Sequence, residues 1–218
     1  MTPSHHPSAA TLFDYGGGSL SEPLALAVVT HISMCTECRD RLAEIEAVGG
    51  VMLDDLPPED MTPDCFARTL ARLDDETPAP RREDDTAAVD GPFAGTPLTP
   101  YLGGVGELPW KRLGRGVAAV DLVRRRNRGT RATLFRVSRG TLLPLHGHRG
   151  REMTVVLEGK FFDETGAFVA GDFIEHDADV VHRPAVTNDE DCVCLIAVEG
   201  RLKFKGVLGR LLPLFVDM

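Results

Sequence analysis

The sequence of 218 residues lacks any apolar run that approaches the roughly 20 residues of a membrane-spanning helix. Its first ten residues, MTPSHHPSAA, also lack the basic and apolar regions of a secretory signal peptide. These two absences argue against a membrane protein and against an exported protein. We therefore expect a cytoplasmic location.

Cysteine is scarce: the chain has five, two of them in a Cys-x-x-Cys spacing. Structural disulfides are rare in cytosolic proteins, so these cysteines indicate metal or thiol chemistry. Core-forming residues are not scarce, because 43% of the chain is hydrophobic and 26% is charged. This composition is ordinary for a folded soluble protein and argues against disorder of the whole chain.

Basic residues are few in the first third of the chain. Residues 1–76 contain 14 acidic and 4 basic residues, whereas residues 98–218 contain 15 acidic and 18 basic residues. An acidic N-terminal region repels nucleic acid, and it suits either a basic protein partner or a solvated surface. Direct DNA binding is therefore disfavoured.

The chain divides into three stretches of different character. Residues 77–97, TPAPRREDDTAAVDGPFAGTP, are rich in Pro, Ala, Gly and charge and show no apolar periodicity. Such a composition is typical of a linker. We therefore predict an N-terminal domain over residues 1–76 and a second domain over residues 98–218.

Helix signals dominate before the linker. Ser8 is the predicted cap of a short helix through Tyr15, Ser21 with Pro23 opens a second helix, ECRDRLAEIEAV forms a longer one ending at Gly49-Gly50, and Thr62-Pro63 opens a fourth. In the last helix Phe66, Leu70 and Leu73 recur on one apolar face. We predict a small bundle of about four helices, with Phe66 and Leu70 as candidate partner-binding residues.

Short β-type runs separated by turn signals follow the linker: VAAVDLV, ATLFRVS, MTVVLEG, KFFDE, VVHRPAV and CVCLIAVEG. Their spacing, without helical patterns between them, favours a sandwich or barrel over a parallel sheet. The predicted fold class is therefore α+β multidomain, with a helical bundle followed by an all-β domain.

His31, Cys35 and Cys38 form the pattern His-x3-Cys-x2-Cys. Their side chains share one face of a helix, or converge across a turn after His31. Structural zinc is tetrahedral, so three ligands require a fourth, and the pair His5-His6 supplies the candidates. The alternatives are a redox Cys-x-x-Cys, or two incidental thiols beside a core histidine.

This pattern, with an upstream histidine in a short acidic helical domain, resembles the zinc-binding anti-sigma factors. The resemblance implies that His6, His31, Cys35 and Cys38 bind Zn²⁺. It also implies that the helices wedge between the two folded domains of a sigma factor and occlude its surface for RNA polymerase core.

The second domain carries Gly140-x5-His146-x-His148-x3-Glu152-x6-Gly159, followed by a third histidine, His182. Strand alternation places His146 and His148 on one side, and Glu152 reaches the same centre from the next strand. Three imidazoles and a carboxylate suit zinc, iron, manganese, nickel or copper. Exposed loop histidines without a metal are the alternative.

This spacing resembles the first cupin motif, and the resemblance implies a cupin (jelly-roll) barrel that binds a divalent metal, first of all Zn²⁺ and otherwise Fe, Mn or Ni. The second cupin motif is partly kept. Gly171 and His182 stand at their expected positions, but Asp177 and Asp179 replace the usual Pro and Gly of the turn.

The order of the two domains is similar to that in cupin-containing anti-sigma factors of the photo-oxidative (singlet oxygen) response in photosynthetic bacteria. That resemblance implies a one-to-one complex with an extracytoplasmic-function sigma factor, a cupin needed for release under oxidative stress, and no catalytic residues. The alternatives are a metal-dependent cupin dioxygenase with an accessory helical docking module, a cupin that binds a sugar or another small ligand, and a docking module for a partner other than sigma.

Cys192 and Cys194 alternate with Val193 and therefore fall on one face of a strand. They are candidate redox residues if they face the metal centre, because a thiolate near a cation forms and oxidises more easily. Small core residues are the other interpretation.

Overall fold

The fold is described from a computed structural model of the chain, which describes residues 2–73, 93, 95–102, 108–125, 129–200 and 202–204. Within these ranges, four α-helices come first and twelve β-strands follow. This order confirms the predicted α+β class. No helix in the described part of the chain is long and apolar enough to cross a membrane.

The helices are α1 (Ala9–Gly16), α2 (Glu22–Met34), α3 (Thr36–Asp54) and α4 (Cys65–Leu73). Ser8 caps α1 as predicted, because its Oγ accepts a hydrogen bond from the backbone N–H of Thr11 over 3.2 Å. Pro23 stands in the first turn of α2, where its missing N–H costs nothing.

The predicted end of α3 at Gly49-Gly50 is wrong, because the helix continues to Asp54. A glycine that terminates a helix adopts a positive φ, and neither Gly49 nor Gly50 does so. Both glycines therefore lie inside the helix, on its exposed side.

The strand pairs in the described part of the chain are antiparallel and form one six-stranded sheet, β1-β2-β3-β11-β5-β8, and two three-stranded sheets, β10-β6-β7 and β12-β4-β9. The strands are β1 (Lys111–Gly114), β2 (Val117–Arg125), β3 (Thr130–Val137), β4 (His146–His148), β5 (Glu152–Glu158), β6 (Lys160–Asp163), β7 (Gly166–Val169), β8 (Phe173–His176), β9 (Val181–His182), β10 (Ala185–Val186), β11 (Cys192–Glu199) and β12 (Leu202–Phe204).

The two faces of the six-stranded sheet have different neighbours. In β11, Val193, Leu195 and Ala197 belong to one hydrophobic cluster with the residues of α2, including Leu24 and Val28. The alternate residues, Cys192, Cys194, Ile196 and Val198, line a cavity of about 390 Å³ on the opposite face. Helix α2 is apolar around most of its surface, so neighbouring elements such as the sheet must bury it on several sides.

The predicted domain boundaries, 1–76, 77–97 and 98–218, remain predictions, since most of the linker lies outside the described residues. Within it, Phe93 is buried at 6% exposure in the cluster that joins α2 to the sheet. The end of the predicted linker therefore packs against the folded regions.

Two candidate metal centres

The break between α2 and α3 brings three predicted ligands together. Cys35 has an extended backbone between the two helices, His31 lies in the last turn of α2 and Cys38 in the first turn of α3. His6 reaches the same point, with its Nδ1 3.4 Å from the Sγ atoms of both Cys35 and Cys38. The four ligand atoms lie within 4.8 Å of one another.

Two outer contacts orient the imidazoles of this cluster. His31 Nδ1 donates a hydrogen bond to the carbonyl oxygen of Gly171 over 2.8 Å, and its buried Nε2 has no hydrogen-bond partner. His6 Nε2 lies 3.5 Å from a carboxylate oxygen of Glu37. Because metal-binding histidines commonly use the other ring nitrogen for such contacts, the arrangement fits a tetrahedral Cys₂His₂ zinc site.

The electrostatics of this cluster also suit a cation. Burial lowers the pKa of His31, which keeps its imidazole in the neutral form that binds metals. Burial and the neighbouring Cys35 raise the pKa of the Cys38 thiol to about 12. A bound divalent ion would reverse this effect by stabilising the thiolate.

Three residues of the second predicted cluster, His146, Glu152 and His182, line the cavity. His146 and His148 stand on β4, Glu152 on β5 and His182 on β9, where His182 pairs with His146. His148 Nε2 is 3.0 Å from Glu152 Oε2 and 3.4 Å from His182 Nε2. The turn that departs from the cupin pattern still forms, closed by a bond from Val180 N–H to the Asp177 carbonyl.

Outer contacts orient this cluster as well. His146 Nδ1 donates to the Pro144 carbonyl oxygen over 2.8 Å, and His182 Nδ1 donates to Asp163 Oδ2 over 2.8 Å. The Nε2 atoms of both rings are then left for the centre of the cluster. Asp163 was not identified from the sequence, because nothing in a strand pattern marks a carboxylate as the partner of a distant histidine.

The protonation states of this cluster suit the binding of a divalent cation. Burial lowers the pKa of His148 to about 4, and it also lowers the pKa of His146. For Glu152, burial alone would raise the pKa, but contact with the surrounding imidazoles holds it below its ordinary value. The cluster thus presents an ionised carboxylate beside the neutral imidazoles of His146 and His148, which fits a divalent cation of the kinds expected for a cupin.

A further histidine, His176, joins this cluster and was missed. It ends β8 directly opposite Glu152, and its ligand atom lies within 4.8 Å of those of Glu152 and His182. The sequence between Gly171 and His182 was interpreted as the turn of the second cupin motif. The alternation in Phe-Ile-Glu-His, which marks β8 as a strand, was the signal that could have found it.

The two candidate redox cysteines lie inside the cavity. Cys192 and Cys194 are buried, with their Sγ atoms 3.4 Å apart, and they line the cavity that contains Glu152. Neither belongs to a ligand cluster among the described residues.

The candidate partner-binding residues are on the surface of α4. Phe66 is 71% exposed and Leu70 is 44% exposed, and Leu73 on the same face is also exposed. Further exposed apolar side chains stand at the end of α3 and after it: Val48, Val51, Met52, Leu53, Leu56 and Met61. Exposed apolar areas of this kind are typical of interaction surfaces, and partner binding by Phe66 and Leu70 stays a prediction.

The fold and these two clusters define a class: a cupin domain joined to a helical region with a Cys₂His₂ cluster. Residues 101–200 match the family described as ChrR cupin-like domain. The chain is 38% identical to the anti-sigma-E factor ChrR of Cereibacter sphaeroides, over 99% of each protein. The chain belongs to the family of ChrR anti-sigma factors.

The structural comparison agrees. The fold matches a chain of the crystal structure of Rhodobacter sphaeroides SigE in complex with the anti-sigma ChrR, with a TM-score of 0.76 and 37% sequence identity. The match covers 91% of this chain and all of the other.

Proposed function

We propose that this protein binds and inhibits an extracytoplasmic-function sigma factor in the cytoplasm as a one-to-one complex. The observation that carries the proposal is the 38% identity to an anti-sigma factor along 99% of the chain. The helical region would wedge between the two folded domains of the sigma factor and block the binding of sigma to RNA polymerase core. The apolar surface of α4 around Phe66 and Leu70 would supply part of the contact.

Two metal ions have separate tasks in this proposal. Zn²⁺ bound by His6, His31, Cys35 and Cys38 would attach the N-terminal arm, the segment before α1 that contains His6, to the junction of α2 and α3. This attachment would keep the helices in the arrangement that binds sigma. A divalent metal bound by His146, His148, Glu152 and His182 is needed for release under oxidative stress such as singlet oxygen. Zn²⁺ is the first candidate there as well, ahead of Fe, Mn and Ni.

The cupin domain would act on the helical region through the segment that precedes β8. Asp172 Oδ1 accepts hydrogen bonds from the backbone N–H groups of Ser4 and His5, over 2.7 and 3.1 Å. Phe173 N–H donates to the His5 carbonyl over 3.0 Å, and the Gly171 carbonyl accepts the hydrogen bond from His31 Nδ1. Three residues after Phe173, the same strand reaches His176 beside Glu152.

The free energy of these hydrogen bonds can be compared with the free energy needed to release the sigma factor. Four hydrogen bonds at about 1 kcal/mol each sum to about 4 kcal/mol. Shifting a sigma factor from 99% bound to 99% free requires roughly 5.5 kcal/mol. Loss of these bonds would loosen the inhibitor without complete release, so we include proteolysis of the loosened protein, starting in residues 77–97, as the second step.

The test is co-purification of the full-length chain with each extracytoplasmic-function sigma factor encoded in the same genome. We expect one of them to form a stable one-to-one complex that a Cys35→Ser, Cys38→Ser variant cannot form. Cys65→Ser is the matched control, since Cys65 lies outside both clusters, and it should bind as the unaltered protein does. Absence of a complex with every such sigma factor would contradict the proposal.

A second candidate function rests on the cavity. A volume of about 390 Å³ beside a histidine and carboxylate cluster is large enough for a small substrate. It favours the alternative of a metal-dependent cupin dioxygenase with a helical docking module. Steady oxygen consumption by the metal-loaded protein with small diketones, thiols or flavonols would support that alternative, whereas we expect no turnover.

A further inference from the structure

We propose that His176 is a fifth ligand of the cupin metal, beside His146, His148, Glu152 and His182. The inference rests on the proposed metal centre of the cupin domain and does not depend on sigma binding.

The first observation is the state of the His176 ring. Its side chain is 5% exposed, and both ring nitrogens are buried without a hydrogen-bond partner. A buried polar group without a partner destabilises the fold, so two on one ring call for an explanation. A metal bond to one nitrogen removes part of this cost.

The same signature occurs in the N-terminal cluster. In the described part of the chain, four buried side-chain nitrogen or oxygen atoms lack a partner: His31 Nε2, His176 Nδ1, His176 Nε2 and Thr187 Oγ1. Three of these four belong to histidines whose ligand atoms cluster with other donors. His31 is a proposed zinc ligand, and His176 presents the same combination of burial, missing partners and donor neighbours.

The second observation is the position of His176 in the sheet. In the antiparallel pairing of β5 with β8, His176 is directly opposite Glu152, and both residues line the cavity. Its ring centroid lies 4.4 Å from that of His182, and its Nδ1 lies 3.5 Å from Glu152 Oε1. The ring therefore lies beside two other proposed ligands.

A purely structural ion pair with Glu152 is the competing explanation. This explanation accounts for only one ring nitrogen. The His176 Nδ1–Glu152 Oε1 contact is 3.5 Å, at the long limit for a hydrogen bond, and the buried Nε2 atom is left without a partner. A ligand needs no hydrogen bond to Glu152, because both groups then point at the ion and not at each other.

A fifth donor has a consequence for the choice of metal. Structural zinc is almost always four-coordinate, whereas a set of four imidazoles and a carboxylate also suits ions that accept more ligands, such as Mn²⁺, Fe²⁺ and Ni²⁺. The cupin centre would thus tolerate metals that the four-coordinate N-terminal site does not favour, besides Zn²⁺.

The experiment uses the full-length protein with Zn²⁺ in its N-terminal site and Co²⁺ as the probe of the cupin site. His176→Ala is compared with His5→Gln, which removes an imidazole outside both clusters. We expect His176→Ala to bind Co²⁺ on the order of 100-fold more weakly. We also expect stronger visible absorption by the ion, because cobalt absorbs more intensely when it loses its fifth ligand. His5→Gln should leave both properties unchanged.

A second measurement covers the case in which His176→Ala does not fold. In the unaltered protein labelled with ¹⁵N-histidine, addition of Zn²⁺ should shift a ring-nitrogen resonance of His176 together with those of His146, His148 and His182. A folded His176→Ala variant with unchanged affinity and spectrum, or a His176 resonance that ignores zinc while the other three respond, would overturn the proposal. Absence of metal binding by the unaltered protein would instead refute the proposed cupin centre itself.

Discussion

The Nδ1 atom of His31, in the helical region, donates its hydrogen bond to the carbonyl oxygen of Gly171, in the cupin domain, over 2.8 Å. A carbonyl oxygen only accepts, so this contact fixes the ring tautomer and leaves Nε2 for the metal. The orientation of one proposed zinc ligand therefore depends on the backbone of the other domain.

Asp172, the next residue, offers a direct test of this dependence. Asp172→Asn keeps the shape of the side chain but removes its charge and at least one acceptor, and the lost bonds are worth about 1.5–3 kcal/mol of unfolding free energy. We expect zinc affinity of the N-terminal site to fall about 10-fold, because the arm that carries His6 loosens. Chelator competition and denaturant unfolding measure the two effects.

The control for Asp172→Asn is Asp189→Asn, which removes an exposed ion pair with Lys160. Such a pair contributes about 0–1 kcal/mol, so both stability and zinc affinity should hardly change. Equal zinc affinity in all three proteins would mean that Asp172 does not position the arm.

The same carboxylate predicts a pH dependence. Burial alone would raise the pKa of Asp172, but the hydrogen bonds from Val169, Ser4 and His5 lower it below its ordinary value of 3.8. A lowered folded-state pKa stabilises the protein above pH 3.8, and this contribution is lost as the pH falls through the folded pKa. In metal-free protein, the stability advantage over Asp172→Asn should be constant from pH 7 to about 5 and should shrink below about 4. An advantage that grows as the pH falls would have the wrong sign.

Local signals in the sequence were enough for most elements. The Ser8 cap, the Pro23 start of α2 and the alternating runs that became β3, β5 and β11 were predicted because each depends on neighbouring residues. The four-residue cluster around Cys35 was expected from spacing and resemblance, and the structure brings its ligand atoms together.

What could not be predicted depends on partners distant in the chain. The burial of α2 against β11 is decided by which sheet face is free, and no periodicity in α2 records that. The contact of Gly171 with His31 joins residues 140 positions apart. His176 was missed for a different reason, because the second cupin motif assigns its segment to a turn and not to a strand.

Glu152 allows the two proposed metal centres to be separated. Glu152→Gln puts a neutral amide among buried imidazoles, so we expect metal content to fall from two ions per chain to one, measured by elemental analysis after dialysis. The remaining ion should be lost in the Cys35→Ser, Cys38→Ser variant. Glu158→Gln, an exposed position on the same strand, should retain both ions.

The exposed face of α4 predicts a loss of binding without a loss of stability. Phe66→Ala and Leu70→Ala remove side chains that are 71% and 44% exposed, so thermal unfolding should be almost unchanged. If they anchor the sigma factor, each should weaken its binding by about 2 kcal/mol, or roughly 30-fold. Arg72→Gln on the same helix is the control, and isothermal titration with the sigma factor is the measurement. Unaltered affinity in both alanine variants would place the contact elsewhere.

The redox candidates predict a difference in thiol reactivity. The thiol of Cys192 and burial together raise the pKa of Cys194 well above its ordinary value, so Cys194 is protonated at neutral pH. A protonated, buried thiol reacts slowly with alkylating agents. With iodoacetamide at pH 7.5 and zinc present, we expect Cys65, which is partly exposed, to be labelled first. Cys192 and Cys194 should be labelled only at the rate of unfolding, as followed by mass spectrometry.

A Cys65→Ser variant tests whether the fast phase of iodoacetamide labelling belongs to Cys65, because that phase should be absent from the variant. Labelling of Cys194 in the native protein as fast as that of Cys65 would mean that the cavity opens to reagents and that its thiol ionises there. In that case the pair could respond directly to a soluble oxidant. With the slow labelling that we expect, a diffusible oxidant of the same size would reach the pair only when the cupin domain opens.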